Sequence, residues 1–204
     1  MDAAARTREL DRALLGVGWS FWALLFFSQL PFAPLIVGPF LAYELRNCAV
    51  ASPVRVARPL ILTAALVLPW PVFHTVALFT DVRWLIAGVP FLAAALYAGV
   101  HGFAMIAEWF GGMERWRRAR HEAAAAAGAL CLVAGLALSR PGARQNPLNF
   151  GEGDSLPVMV AAGAAIVVVT YGVFRVTVAF RDLRIRVRAA IAADEREDTL
   201  AAHG

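Results

Sequence analysis

Apolar residues in this chain fall in long unbroken runs, at 14–43, 59–79, 84–110, 123–139 and 157–180. A helix needs about 20 apolar residues to cross a hydrocarbon core, and the last four runs are of that order. The pattern predicts an all-α integral membrane protein. Polar connections fall at Asp81–Arg83, Gly111–Glu122 and Arg140–Leu156. Residues 1–13 read as a short polar cytoplasmic segment ahead of the first run.

The first run has an awkward length. At about 30 residues it is too long for one ordinary span and too short for two. Its centre reads Ser28-Gln29-Leu30-Pro31-Phe32-Ala33-Pro34, followed by Gly38-Pro39. Proline lacks the backbone donor and clashes with the preceding turn, so a break is expected at Ser28, Gln29, Pro31 and Pro34. Residues 14–45 therefore read as a re-entrant helical hairpin, entering and leaving on one side. A single transmembrane helix is the alternative. A break of this kind needs protein or water to cover the freed backbone groups. Residues 46–180 then form a four-helix transmembrane bundle, kinked at Pro69-Trp70-Pro71. Residues 181–204 form a cytoplasmic amphipathic tail. Phe180, Leu183, Val187 and Ile191 line one face of it at helical spacing, and the acidic stretch 194–198 is expected to end its order.

Charge placement orients the bundle. All 19 basic residues are arginine. The re-entrant arrangement leaves Arg83, Arg140 and Arg144 outside, a split of 16 to 3. A full span moves Arg6, Arg8 and Arg12 outside, and the split falls to 13 to 6. The positive-inside bias favours the first arrangement. It places the C-terminus in the cytoplasm of a cell with a bacterial-type inner membrane. Trp84, Trp109 and Trp116 are expected in the interfacial belts.

Composition narrows the function classes. A chain that is 60% hydrophobic and 17% charged does not resemble a soluble domain. The net charge of +4 is no nucleic-acid footprint, because the arginines sit at the ends of apolar runs. Cys48 and Cys131 lie at different depths, so no disulfide is expected. The absence of CxxC or a Cys/His cluster gives no support to a metal site. Asp2, Glu9 and Asp11 interrupt the basic start, unlike a signal peptide.

Polar residues inside a membrane are costly and so are functional candidates. Tyr97, His101 and Glu108 stand at i, i+4 and i+11 and share a helix face. Histidine titrates near neutral pH, so these three form a candidate proton or ion path, with plain packing as the competing reading. A haem between His74 and His101 meets a depth problem. The two lie about 8 Å and 25 Å below the outer surface at 1.5 Å per residue. No cofactor is therefore expected. Ala127, Cys131, Gly135 and Ser139 form a small-residue stripe where another helix can approach. Arg115, Arg117, Arg118, Arg120, Arg184 and Arg188 are candidates for lipid head-group or partner contacts. Catalytic triads, phosphate loops and HExxH are absent. The sequence fits best a non-catalytic structural or accessory subunit of a bacterial inner-membrane complex. Its expected partners are membrane lipids and other subunits or a second copy. The alternatives are a proton-coupled small transporter or channel, and a haem b-binding electron-transfer subunit.

Overall fold

The computed structural model describes residues 3–27, 30, 32–52, 57–81, 83–139 and 156–203. They form α1 (Ala3–Phe27), α2 (Ala33–Ala51), α3 (Ala57–Val67), α4 (Pro69–Phe79), α5 (Arg83–Trp109), α6 (Met113–Ser139) and α7 (Leu156–His203). No strand occurs among the described residues. Four stretches are long and apolar enough to cross a membrane: Arg58–Phe79, Arg83–Trp109, Met113–Leu138 and Leu156–Glu197. Between 17% and 44% of their most apolar windows is buried against the rest of the chain. Large side chains such as Phe26, Ile36, Phe79, Val167 and Phe174 point outward. Apolar surface on this scale marks contact with a membrane or a protein partner.

The first apolar run is broken where its prolines fall. α1 stops at Phe27 and α2 begins at Ala33. The Leu30 N–H donates to the Phe27 carbonyl and the Ala33 N–H to the Leu30 carbonyl. Pro34 is buried in the first turn of α2, where a missing N–H costs no helical bond. Ser28, Gln29 and Pro31 lie outside the described residues. The two helices pack as an antiparallel pair, with the Glu44 side chain lying over Gly16, where a β-carbon would force it to move. Both helices outrun the predicted segment: residues 3–13 belong to α1, and α2 continues to Ala51.

The second run is divided at Leu68, between α3 and α4, where Pro69 and Pro71 cannot donate to the preceding turn. Pro71 then rests on Gly38 of α2, which has no room for a β-carbon.

The α5–α6 connection is shorter than the predicted loop Gly111–Glu122. The Gly112 N–H donates to the Ala107 carbonyl at 2.7 Å and the Gly111 N–H to the Glu108 carbonyl at 3.1 Å. Gly111 has φ +73°. This is a glycine-terminated helix end that satisfies the last carbonyls. The Arg186 guanidinium donates to the Gly111 carbonyl at 3.0 Å. The chain is then free to start α6 at Met113. Residues 113–122 are rich in Arg and Glu, both good helix formers, so the segment is helix and not loop.

Each helix packs on its neighbours, and α7 returns to α1, closing the arrangement into a ring. The closure has its own core. Leu10 and Leu14 of α1, Ile106 of α5, Trp116 of α6, and Leu183 and Val187 of α7 are almost fully buried in one cluster. Two expectations change here. Trp116, at 1% exposure, is no belt residue; its ring lies 6.2 Å from that of Phe103. Trp84 and Trp109 do face outward. The apolar stripe of the tail needs no outside partner, since Leu183 and Val187 are buried and Phe180 and Ile191 pack on the same cluster. The tail also stays helical through the acidic stretch to His203.

Trp116→Ala is expected to destabilise the protein by about 3–5 kcal/mol, the cost of emptying a buried aromatic site. Trp109→Ala should cost well under half of that. Thermal unfolding in mild detergent measures both.

Candidate functional site

Tyr97, His101 and Glu108 sit on one face of α5, and all three are exposed. The face continues toward the start of the helix. Ala87, Ala94, His101 and Glu108 are spaced by seven residues and each is exposed. Pro90 and Phe91 lie between them, also exposed. The rest of the circumference is taken by contacts to α3, α4, α6 and α7; Ala93, Val100 and Ala107 are among its buried positions. The candidate proton path is therefore a narrow outward seam.

The structure keeps the two intramembrane histidines apart. Phe73, beside His74 on α4, stacks on Trp84 at 6.0 Å and on Phe91 at 5.5 Å. His74 thus lies level with the first part of α5. His101 is ten residues beyond Phe91, about 15 Å further along the helix. The His74 ring is 6.1 Å from that of Trp70, and its Nδ1 is buried without a hydrogen-bond partner. Among the described residues no group of three or more His, Cys, Asp or Glu is placed to hold a metal.

The charged ends of α1, α6 and α7 interlock. Asp11 of α1 accepts from Arg188 Nε at 3.3 Å and pairs with Arg184 Nε at 3.5 Å. The second contact is an ion pair without hydrogen-bond geometry, so Arg184 Nε and Nη2 remain buried without hydrogen-bond acceptors. Arg8 reaches Glu195 at 3.2 Å. Asp182 of α7 binds Arg115 of α6 at 2.9 Å and its own Arg186 at 3.0 Å. Arg118 pairs with Glu114 at 3.3 Å, and Arg175 with Glu122 at 3.2 Å. Of the six arginines singled out, Arg115, Arg118, Arg184 and Arg188 thus have acid partners within the chain. Arg117 is exposed, and Arg120 has a buried Nε with no acceptor. The acids Asp11, Glu122 and Asp182 were not among the predicted site residues. The i, i+4 spacings of Glu114–Arg118 and Asp182–Arg186 are visible in the sequence. The cross-helix pairs depend on packing.

Between α6 and α7 a groove of about 410 Å³ opens beside Glu114, Arg115, Arg118, Glu122 and Arg175. The Arg175 guanidinium also lies 5.9 Å from the centre of the Tyr171 ring. Lower on α6, Cys131 is exposed and Gly135 faces open space. Among the described residues, no helix covers that part of the small-residue stripe. The α6 positions that pack within the chain are offset from it, at Ala119, Ala123, Ala126, Ala134 and Ala137. The Ser139 side chain lies outside the described set, as does the predicted outer loop at 140–155.

No protein-family model matches the chain, and neither a curated protein nor a solved structure is found to match it.

Both cysteines are free, Cys48 buried and Cys131 exposed. Burial raises the Cys48 pKa above the ordinary thiol range, and the nearby Glu44 carboxylate raises it further. The thiolate is the reactive form, so a maleimide at neutral pH in mild detergent should spare Cys48 until the protein is denatured. The sign for stability follows from linkage. Above the unfolded thiol pKa of about 8.5 the folded state holds a proton that the unfolded state has lost. The contribution of Cys48 is thus fully present below that pH and declines as pH rises above it. Cys48→Ala should flatten that alkaline decline in thermal unfolding scans.

Proposed function

We propose that the chain is a structural, non-catalytic subunit of a bacterial inner-membrane assembly. The observation that carries this reading is the outward seam of α5. Tyr97, His101 and Glu108 face away from every other helix of the chain. Phe103, between His101 and Glu108, packs on Trp116 and Phe180 at the charged end, so His101 and Glu108 lie near the interface while Tyr97 and the apolar first part of the seam face the hydrocarbon. A polar group facing hydrocarbon is costly, and cover from another helix removes that cost at Tyr97. Ala87 and Ala94 keep the seam shallow, and the seven-residue spacing is that of helices packed in a left-handed pair. The open surface at Cys131 and Gly135 of α6 offers a further place for close helix approach. A proton path through Tyr97, His101 and Glu108 would need the same covering partner, because the bundle itself encloses none of the three.

The ion pairs supply the support for topology. Arg8 meets Glu195, Asp11 meets Arg188, and Arg186 meets the Gly111 carbonyl. The start of α1, the α5–α6 turn and the end of α7 therefore share one arginine-rich end. The positive-inside bias assigns this end to the cytoplasm. Neither α1 nor α2 is among the four stretches able to cross. A hairpin dipping into the membrane from the cytoplasmic face accommodates both helices.

The test is extraction in a gentle detergent followed by sizing and native mass measurement. The chain is expected in an assembly larger than a monomer, and Ala94→Trp, which fills the seam, should release it without unfolding. A lone monomer under every mild condition, or an assembly indifferent to Ala94→Trp, would falsify the seam as an interface.

A further inference from the structure

We infer that the groove between α6 and α7 holds the head group of a phospholipid bearing both a phosphate and a protonated primary amine, of the phosphatidylethanolamine kind. The inference rests on the membrane-spanning part of the reading above.

Depth places the groove at a head-group layer. Arg175 is 19 residues after Leu156, the first residue of α7, which at 1.5 Å per residue is about 29 Å along the helix. The hydrocarbon core is about 30 Å thick. The guanidinium that flanks the groove therefore lies where the acyl chains end and the phosphates begin.

The charge pattern selects the head group. Three guanidiniums and two carboxylates line the groove. Each arginine carries five N–H donors in a rigid fork. A single ion pair to Glu114, Glu122 or Asp182 leaves several donors free for phosphate oxygens. A purely anionic head group would also bring negative charge against Glu114 and Glu122. A head group with an ammonium gives those carboxylates a donor while its phosphate meets the arginines. A choline head group carries the same charge but has no N–H to donate.

The surface below fits a lipid tail. Val178 and Ala179 form the apolar side of the groove. From Val178, the positions Tyr171 and Ala164 follow at seven-residue steps on α7, with Val167 between them and Val160 beyond, all exposed. From Arg118, Ala125 and Leu132 follow at the same step on α6, also exposed. Residues seven apart lie on nearly the same helix face. Two apolar tracks thus descend from the groove on either side of the α6–α7 seam, kept shallow by Ala125 and Ala164.

Native mass spectrometry of the full chain tests this, in micelles containing equal amounts of phosphatidylethanolamine, phosphatidylcholine and phosphatidylglycerol. Phosphatidylethanolamine should be retained about tenfold over each of the others, the factor set by one charge-assisted hydrogen bond. Glu114→Gln and Arg118→Gln alter exposed side chains at the mouth of the groove and should each remove most of that preference. Arg117→Gln, away from the groove, should leave it unchanged. Equal retention of the three lipids, a preference for phosphatidylglycerol, or insensitivity to both groove variants overturns the assignment. Alkaline carbonate washing of native membranes is scored separately. Release of the chain overturns the membrane reading and the site together, whereas retention combined with unselective lipid binding overturns the site alone.

Discussion

Apolar side chains are driven together only where water is there to be excluded. Within a bilayer the lipid tails are as apolar as leucine, and helices gain little by burying such groups against one another. The distribution of buried residues follows this rule. Among the largest fully buried side chains, Trp116, Leu10, Leu14, Ile106, Leu183 and Val187 gather at the charged end of the molecule. There α1 and α7 close the ring beside the α5–α6 turn. Toward the middle of the bundle the contacts change character. Gly172 meets Ala126 across α6 and α7, and Gly38 meets Pro71 across α2 and α4. Close backbone approach through small residues takes over where the hydrophobic effect stops working.

The ion pairs around that core fix direction more than they add stability. Arg8–Glu195 and Glu114–Arg118 are exposed at both members, and exposed pairs contribute about 0–1 kcal/mol each. Their value is in register. Arg115 with Asp182 and Glu122 with Arg175 are each seven residues apart on both helices, so α6 and α7 can run antiparallel in one alignment without a mismatch of charge. Asp11, reached by both Arg184 and Arg188, ties α1 to the same frame. The less exposed acids, Asp11 and Asp182, each serve two arginines and are the pivots of this arrangement.

Much of the backbone was legible in the chain. Proline in the first and second runs marks the α1–α2 break and the α3–α4 boundary, because a missing donor acts locally whatever surrounds it. The apolar runs mark the four long stretches. The segment 113–122 was misread because its arginines masked its periodicity. Trp116, Ala119, Ala123 and Ala126 carry the buried face of α6 into the charged region, a helical signal that charge counting overlooks. The tail stripe was recognised as amphipathic, but its partner was not. Leu10, Leu14 and Val17 lie more than 160 positions away in the sequence, and no local pattern links them to Leu183. The outward direction of Tyr97, His101 and Glu108 was equally hidden. Spacing places residues on one face of a helix and does not say what that face meets.

The arrangement joins a core at the arginine-rich end, the α1–α2 pair packed on that core, and a bundle whose polar seam points away from itself. Its central requirement is that the start of α1, the start of α6 and the end of α7 lie on the same side of the membrane. Impermeant thiol labelling of single-cysteine variants in a chain lacking Cys48 and Cys131 measures this directly. Arg6→Cys, Arg117→Cys and Ala192→Cys should all label from the cytoplasmic side, and Arg83→Cys from the other. Labelling of Arg6→Cys from the side opposite to Arg117→Cys would mean that the first apolar run crosses the membrane, and it would contradict the shared core.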